Sequence, residues 1–243
     1  MRTDNDFYFE VARGARKGMT RMVLCGINAD VDAAEDVWVN GGDVPAFDSV
    51  GFLIEAVSSD NTNDKAAGTG ALTILVKGVT IAGVYQEETI TLNGTSAVAG
   101  LKTWGFINSA EVATAGSSGT NAGTITVRVA SAGATKAVID VGRSVSDGAF
   151  FYVPAGYRFI VESVQFWATT SGTIIAGIAH TEGTVLKTRA HVSFTNVAVL
   201  PQIQLLAPYG GGTLLKVRVL SVSAGNQSVG AVIRGVLLDS TAV

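Results

Sequence analysis

The sequence predicts an all-β protein, with two β-sandwich or jelly-roll-like units preceded by an extended N-terminal arm. Three observations predict it. Gly, Ala, Thr, Val and Ser dominate and charged residues make up only 15% of the chain; β-branched residues with Gly-rich turns suit short strands, whereas long helical surfaces need Lys, Glu, Arg and Gln. Apolar and polar residues alternate over strand-length runs, most strictly in Thr124-Ile125-Thr126-Val127-Arg128-Val129, the period of a half-buried strand. Clusters of turn-forming residues separate these runs at short intervals.

Residues 1–48 read as the arm. Arg2, Arg13, Arg16, Lys17 and Arg21 precede an acidic group, Asp30, Asp32, Glu35 and Asp36, and Gly14 and Gly18 interrupt any helical pattern. A short turn of helix is expected near 33–37. Trp38 and Phe47 flank the Gly41-Gly42 turn, where buried anchors are natural. Together Arg13, Arg16, Lys17, Arg21, Trp38 and Phe47 form the expected partner interface.

Residues 49–130 read as a β-sandwich-like domain. Strands are expected at 50–57, 72–79, 88–95, 104–114 and 124–129, with a polar loop over 58–71. An internal echo runs through it: 68-GTGALTILV-76 and 119-GTNAGTITV-127 both read G-T-x-A-x-T-I-x-V. The echo suggests a duplicated loop and strand, in similar positions of one sheet. Residues 131–150 read as a linker with a short strand at 136–141. Residues 151–243 read as a jelly-roll-like domain. Pro154-Ala155-Gly156 suits a type II turn. Strands follow at 157–169, 173–181, 184–194, 197–207, 213–222 and 229–239, divided by turns at Ser171-Gly172, Glu182-Gly183, Tyr209-Gly210-Gly211-Gly212 and Ala224-Gly225-Asn226.

The totals bound the function. The chain has 243 residues, enough to bury a sizeable core. It holds no run of about 18 apolar residues, so no membrane span is expected, and its first residues lack the apolar core of a secretory signal. The net charge of -3 argues against a strongly basic nucleic-acid surface. Asp4, Asp6 and Glu10 interleave the N-terminal basic residues and few aromatics are placed to stack bases, so an acidic protein surface suits them at least as well. Cys25 is alone, so no internal disulfide forms; it sits in the apolar run Met22-Val23-Leu24-Cys25-Gly26 and is expected to be buried.

The stretch 114-TAGSSGTNAGTITVRV-129 opens like a phosphate-cradling loop. A Walker loop needs a lysine and a following helix; here there is no such lysine and a strand follows. Gly68-Thr69-Gly70 lacks the third glycine of a dinucleotide fingerprint. Gly116-Ser117-Ser118-Gly119 does not make a nucleophile elbow, since Thr120 breaks Gly-x-Ser-x-Gly and no helix follows. Glycines serving tight turns explain these stretches better. His180 and His191, the only histidines, lie in expected strands without a Cys or carboxylate pattern around them. The run Asp60-Asn61-Thr62-Asn63-Asp64 offers oxygen ligands but lacks EF-hand spacing. Asp140, Asp147, Glu162 and Glu182 show no acid/base pairing in sequence. No catalytic residue, cofactor or metal is expected.

Several segments together carry a resemblance: 29-ADVDAAEDVWVNGGDVPAF-47, 53-LIEAVSSDNTNDKAAGTGALTILVKG-78, 88-ETITLNGTSAV-98, 114-TAGSSGTNAGTITVRV-129 and 151-FFYVPAGYRFIVESVQF-167. Glu35-Asp36-Val37-Trp38 and Ala67-Gly68-Thr69-Gly70-Ala71 are the more specific parts. The chain resembles a family of tailed-bacteriophage virion structural proteins over roughly residues 27–240. The resemblance implies a β-rich auxiliary protein of the particle, a head decoration or cement protein bound across the major capsid protein, in the virion after assembly in the host cytoplasm. It also implies a homo-oligomer, with a trimer favoured. It carries no catalytic residue. A second expectation is a tail or fibre component binding a host receptor or glycan, with Trp104, Trp167 or Tyr209 stacking on a sugar ring. The third is a glycan depolymerase, which needs a carboxylate pair in a cleft.

Overall fold

The computed structural model describes residues 4–169, 172–195 and 202–240. Among these, the fold is all β apart from one nine-residue helix. The chain divides into two compact units: Met1–Val37 with Ala149–Val243, and the uninterrupted segment Trp38–Gly148. The second is thus an insertion in the first. Of the boundaries expected from the sequence, the one after residue 150 falls beside the division at Gly148/Ala149, whereas the chain does not divide after 48 or 130.

The first unit begins with α1 (Asp4–Ala12) and β1 (Met19–Val31). The expected extended arm is therefore corrected: β1 pairs antiparallel with the last strand of the chain, from Met19↔Leu238 to Val31↔Gln227. Met22 and Leu24 lean on the core while Arg21 and Cys25 face out, so Cys25 is exposed rather than buried. Exposure alternates along 21–28, but Met22-Val23-Leu24-Cys25 is a continuous apolar run in sequence, so the strand left no alternating signal.

The expected helix near 33–37 is absent. The main chain there runs alongside the second-last strand of the chain (Leu214–Val222) instead, with Glu35 N donating to Val219 O at 3.1 Å and Val219 N to Glu35 O at 2.8 Å. Gly26 is required where β1 meets this segment. A Cβ on it would stand 2.2 Å from Ala149 N and 2.5 Å from Val37 O, both main-chain atoms.

The second unit contains β2 (Ile54–Ser58), β3 (Ala71–Val79), β4 (Tyr85–Thr91), β5 (Val98–Ala99), β6 (Phe106–Ala115), β7 (Ile125–Val129) and β8 (Thr135–Ile139). They form two sheets, β5-β2-β7-β8 and β4-β3-β6. Both feed one core, which includes Ile54, Ile125 and Ile139 from the first sheet and Ile74, Val76 and Ile107 from the second, closed by Trp104. The segment expected as a linker belongs here. It contributes β8, and Ser146 N donates to Ala110 O at 2.8 Å. The two strands of the internal echo, β3 and β7, lie in different sheets rather than one, and face the same core with Ile74, Ile125, Val76 and Val127 fully buried.

The first unit resumes with β9 (Phe150–Tyr152), β10 (Tyr157–Ala168), β11 (Thr173–Glu182), β12 (Val185–Thr195), β13 (Ile203–Gly210), β14 (Leu214–Val222) and β15 (Gln227–Asp239). Between β9 and β10, Gly156 takes φ 81° and Tyr157 N donates to Pro154 O, as the Pro-x-Gly pattern requires. The expected strand over 197–207 lies partly outside the described residues, as do Ser171 of one expected turn and Arg2 of the basic group. The sheets are β1-β15-β10-β13 and β12-β11-β14-β9. Both feed a second core, with Phe159, Val164, Phe166 and Ile233 from one sheet and Ile174, Ile178, Leu215 and Val217 from the other. Numbered one to eight within this unit, the strands lie in the orders 1-8-3-6 and 5-4-7-2.

Candidate functional site

The glycine-rich loops of the second unit do surround an anion, and it is the chain's own. Asp64 is fully buried. Its Oδ1 accepts from the main-chain N–H of Ala71 at 2.8 Å and of Ala122 at 2.9 Å; its Oδ2 accepts from Ser58 Oγ at 2.7 Å and from Gly123 N at 2.8 Å. A phosphate-like cradle of amides is therefore occupied internally. Ala71 and Ala122 hold equivalent places in the two halves of the echo, so the repeated Gly-Thr-x-Ala is a pair of half-sites for one carboxylate. Gly68 has no room for a side chain, since a Cβ would lie 1.9 Å from Asn63 O. Ser118 N and Oγ both reach Thr69 O, tying the two loops together.

The same geometry settles the roles of the Asp60-Asp64 run. Asp60 Oδ1 accepts from Thr62 N and Asn63 N, and its Oδ2 from Asn63 Nδ2. These bonds, the Asn63 amide first, hold the Asp60 carboxyl below the usual range. Among the described residues, no three His, Cys, Asp or Glu side chains stand close enough to hold a metal ion.

In the first unit the specific Glu35-Asp36 segment builds an ionic cluster. Asp36 is fully buried and receives Lys216 Nζ at 2.6 Å and Arg218 Nη1 at 3.0 Å, while Arg218 Nη2 donates to Ala34 O at 3.1 Å. Glu35 accepts from Asn28 Nδ2 and Asp32 N. Two cations on one carboxylate pin the 34–37 segment to β14, a positioning task with no bond-making group exposed. Sequence reasoning passed over Lys216 and Arg218; a Lys-x-Arg pair inside an otherwise apolar strand was the available signal.

The six expected interface residues fall in different places. Arg13, Arg16 and Arg21 lie over the rings of Phe9, Phe7 and Tyr8, at 5.7, 5.9 and 5.0 Å. Arg16 also pairs with Glu10 at 2.7 Å, and Arg21 approaches Glu162 at 3.6 Å. Arg13 and Lys17 are exposed. Trp38 is buried in the second unit with its indole N–H on Gly42 O, and Phe47 packs on Gly105 there. The structure thus gathers the arginines at α1 and leaves Trp38 and Phe47 as internal anchors of the inserted unit.

The expected ring-stacking residues are not open faces. Trp104 is fully buried, Trp167 lies against Gly230, and Tyr209 is buried with its ring 5.1 Å from that of His180. The two histidines do not face one another, because His180 pairs with Lys187 and His191 with Gly177. A cavity of about 510 Å³ opens where the β11–β12 hairpin meets the end of β13; His180, Glu182, Arg189, Tyr209 and the 210–213 turn line it. Burial, and then the Arg189 charge, push His180 below its ordinary value; burial pushes Tyr209 up. The Lys187 ammonium, bonded to Glu182, holds that carboxyl down. Of the remaining carboxylates, Asp147 is pushed up by burial and lies near Arg143 and Asp140.

No protein-family model matches the chain, and no curated protein matches it. Among solved structures, it is similar to a structure of infectious bursal disease virus, Gt strain, at 11% identity over 92% of this chain and 77% of that one, with a TM-score of 0.16. A likeness of that size carries no argument.

Proposed function

We propose that this chain is a non-enzymatic structural component of a tailed-phage virion: a decoration or cement protein that stabilises the head by binding across major capsid protein subunits. It acts there as a homo-oligomer, a trimer being favoured, after assembly in the host cytoplasm. The observation that carries the reading is the strand pairing of the first unit. β1 pairs with β15, β9 with β14, β10 with β13 and β11 with β12. In that unit's own order these are pairs 1-8, 2-7, 3-6 and 4-5, a single antiparallel ribbon rolled into two sheets. This supports reading the first unit as a double-sheet jelly roll, an architecture used by viral capsid and lectin domains. The two facing sheets and shared core of Trp38–Gly148 support reading the insertion as a β-sandwich.

A fold leaves function to its surface. The inserted unit exposes apolar side chains on adjoining loops: Val50 is 86% and Leu101 91% accessible, and Ile81 and Val84 are half accessible. Gly51 brings the first of these loops against Ile81 and Thr103. Such tips suit contact with other subunits. A cement protein adds binding energy at junctions without chemistry, and symmetric copies repeat each modest contact many times.

The test is co-sedimentation of the purified chain with heads that lack it, followed by cryo-EM of the decorated particle. Density across the capsid lattice is expected. Density confined to the tail or fibre tip overturns the reading in favour of a receptor- or glycan-binding component. Deleting 1–13 removes α1 but spares β1, and is expected to weaken head binding while the two cores remain folded.

A further inference from the structure

One hairpin of the first unit turns an exposed cation onto the sheet face that carries its core residues. β11 and β12 pair Ile174↔Phe194, Ala176↔Val192 and Gly177↔His191, then step to Ile178↔Arg189 and His180↔Lys187. Ala190 is the extra residue, held at φ 41°. Ile174, Ala176 and Ile178 all belong to the core. Without the bulge, Ala190 would oppose Ile178 and Arg189 would point to the opposite face, because one residue of slip exchanges the two faces of a strand. The bulge therefore turns Arg189 to the inner side of the sheet. A left-handed alanine is unfavourable and persists only where its surroundings impose it, and bulges commonly re-aim a side chain beside a binding site.

What Arg189 meets is the cavity bounded by His180, Thr181, Glu182, Tyr209 and Thr213. Its volume of about 510 Å³ falls within the range of small-ligand pockets, roughly 300–1,000 Å³. The Glu182 carboxylate already has Lys187 as its partner, whereas no ion pair joins Arg189 among the described residues. Lys187 and Arg189 both act on the single Glu182 carboxylate, so the site carries one cation in excess, and the planar fork of the guanidinium suits a carboxylate. Around it stand Thr181, Thr213 and the paired Glu182, groups that exchange hydrogen bonds with hydroxyls. We propose that this cavity binds a sugar acid, with the sugar's carboxylate on Arg189 and its ring hydroxyls on Glu182, Thr181 and Thr213. The inference does not depend on where in a particle the chain resides.

The test titrates the intact protein with D-glucuronate, D-glucose, acetate and sulfate, read by ligand-observed NMR and calorimetry. Glucuronate is expected to bind and glucose to bind at least about tenfold more weakly, as loss of a charge-assisted hydrogen-bonded pair predicts. Arg189→Met is expected to reduce glucuronate affinity by a similar factor, Arg189→Lys by less, and Arg143→Met, in the other unit, to change nothing. Arg189 is exposed on an edge strand, and an unchanged melting curve verifies that the variant folds. Glucose binding as well as glucuronate, or glucuronate binding untouched by Arg189→Met, overturns the proposal. Acetate or sulfate binding as tightly as glucuronate overturns the sugar part and marks a simple anion site.

Discussion

The main-chain N–H of Ala122 donates to Asp64 Oδ1 at 2.9 Å across 58 residues of sequence. That bond, with its counterparts from Ala71, Gly123 and Ser58, makes a carboxylate the common anchor of three loops. Asp64→Ala leaves buried N–H groups without acceptors, which costs about 1–3 kcal/mol for each orphaned group before relaxation. The expected loss is about 3–5 kcal/mol in the stability of the inserted unit. Guanidinium unfolding monitored through Trp104 measures it; a loss under about 1 kcal/mol would show that the loops hold without the carboxylate.

Asp36 carries the corresponding weight in the first unit. Asp36→Ala strands Lys216, which is itself buried, and leaves Arg218 half paired. Breaking a buried ion pair from one side costs about 3–5 kcal/mol. Replacing all three by apolar residues of similar volume is expected to cost less than Asp36→Ala alone. A cycle of the single and combined variants, read by equilibrium unfolding, checks the order.

Two glycines separate steric need from backbone freedom. Gly26→Ala pushes a methyl into Ala149 N and Val37 O, and main-chain atoms cannot step aside cheaply, so a loss of about 2–3 kcal/mol is expected. Gly119 has open space but φ +71°; Gly119→Ala pays only the left-handed strain, about 1 kcal/mol. Equal effects from the two would contradict the close packing at Gly26.

Stability is expected to fall in two steps on acidification. His180 is held below its ordinary 6.5 by burial and then by Arg189, with Lys187 and Tyr209 also facing it. The unfolded chain therefore takes up a proton that the folded chain resists, and stability drops as pH falls below 6.5 toward the folded value. In His180→Gln this first step should flatten. The second step comes from Asp48, Glu55 and Asp60, each held below its ordinary value, first of all by the amides of Gly51, Ala132 and Asn63 respectively. Their contribution is present above ordinary carboxylate values, 3.8 to 4.5, and is lost as pH falls through the lowered ones. Melting temperatures measured across pH 3–8 for wild type, His180→Gln and Glu55→Gln check both steps; a single step unaffected by either change would be inconsistent with these assignments.

By itself, the sequence determined that the described chain beyond residue 48 is β, and most strands and turns there fall near their expected places. Alternation is a local record of burial, so runs such as 124–129 and 157–169 are legible without knowing their neighbours. The Gly-Thr-x-Ala echo was also legible as a repeat, though not as a binding arrangement for Asp64. Only tertiary structure decided that 19–31 closes a sheet with the last strand, that 131–148 belongs to an inserted unit, and that Arg189 turns inward. Each of those outcomes rests on pairing between distant segments or on one extra residue in a strand. Local composition does not specify either, because a strand's partner and register are chosen by the burial and hydrogen bonding of the whole sheet.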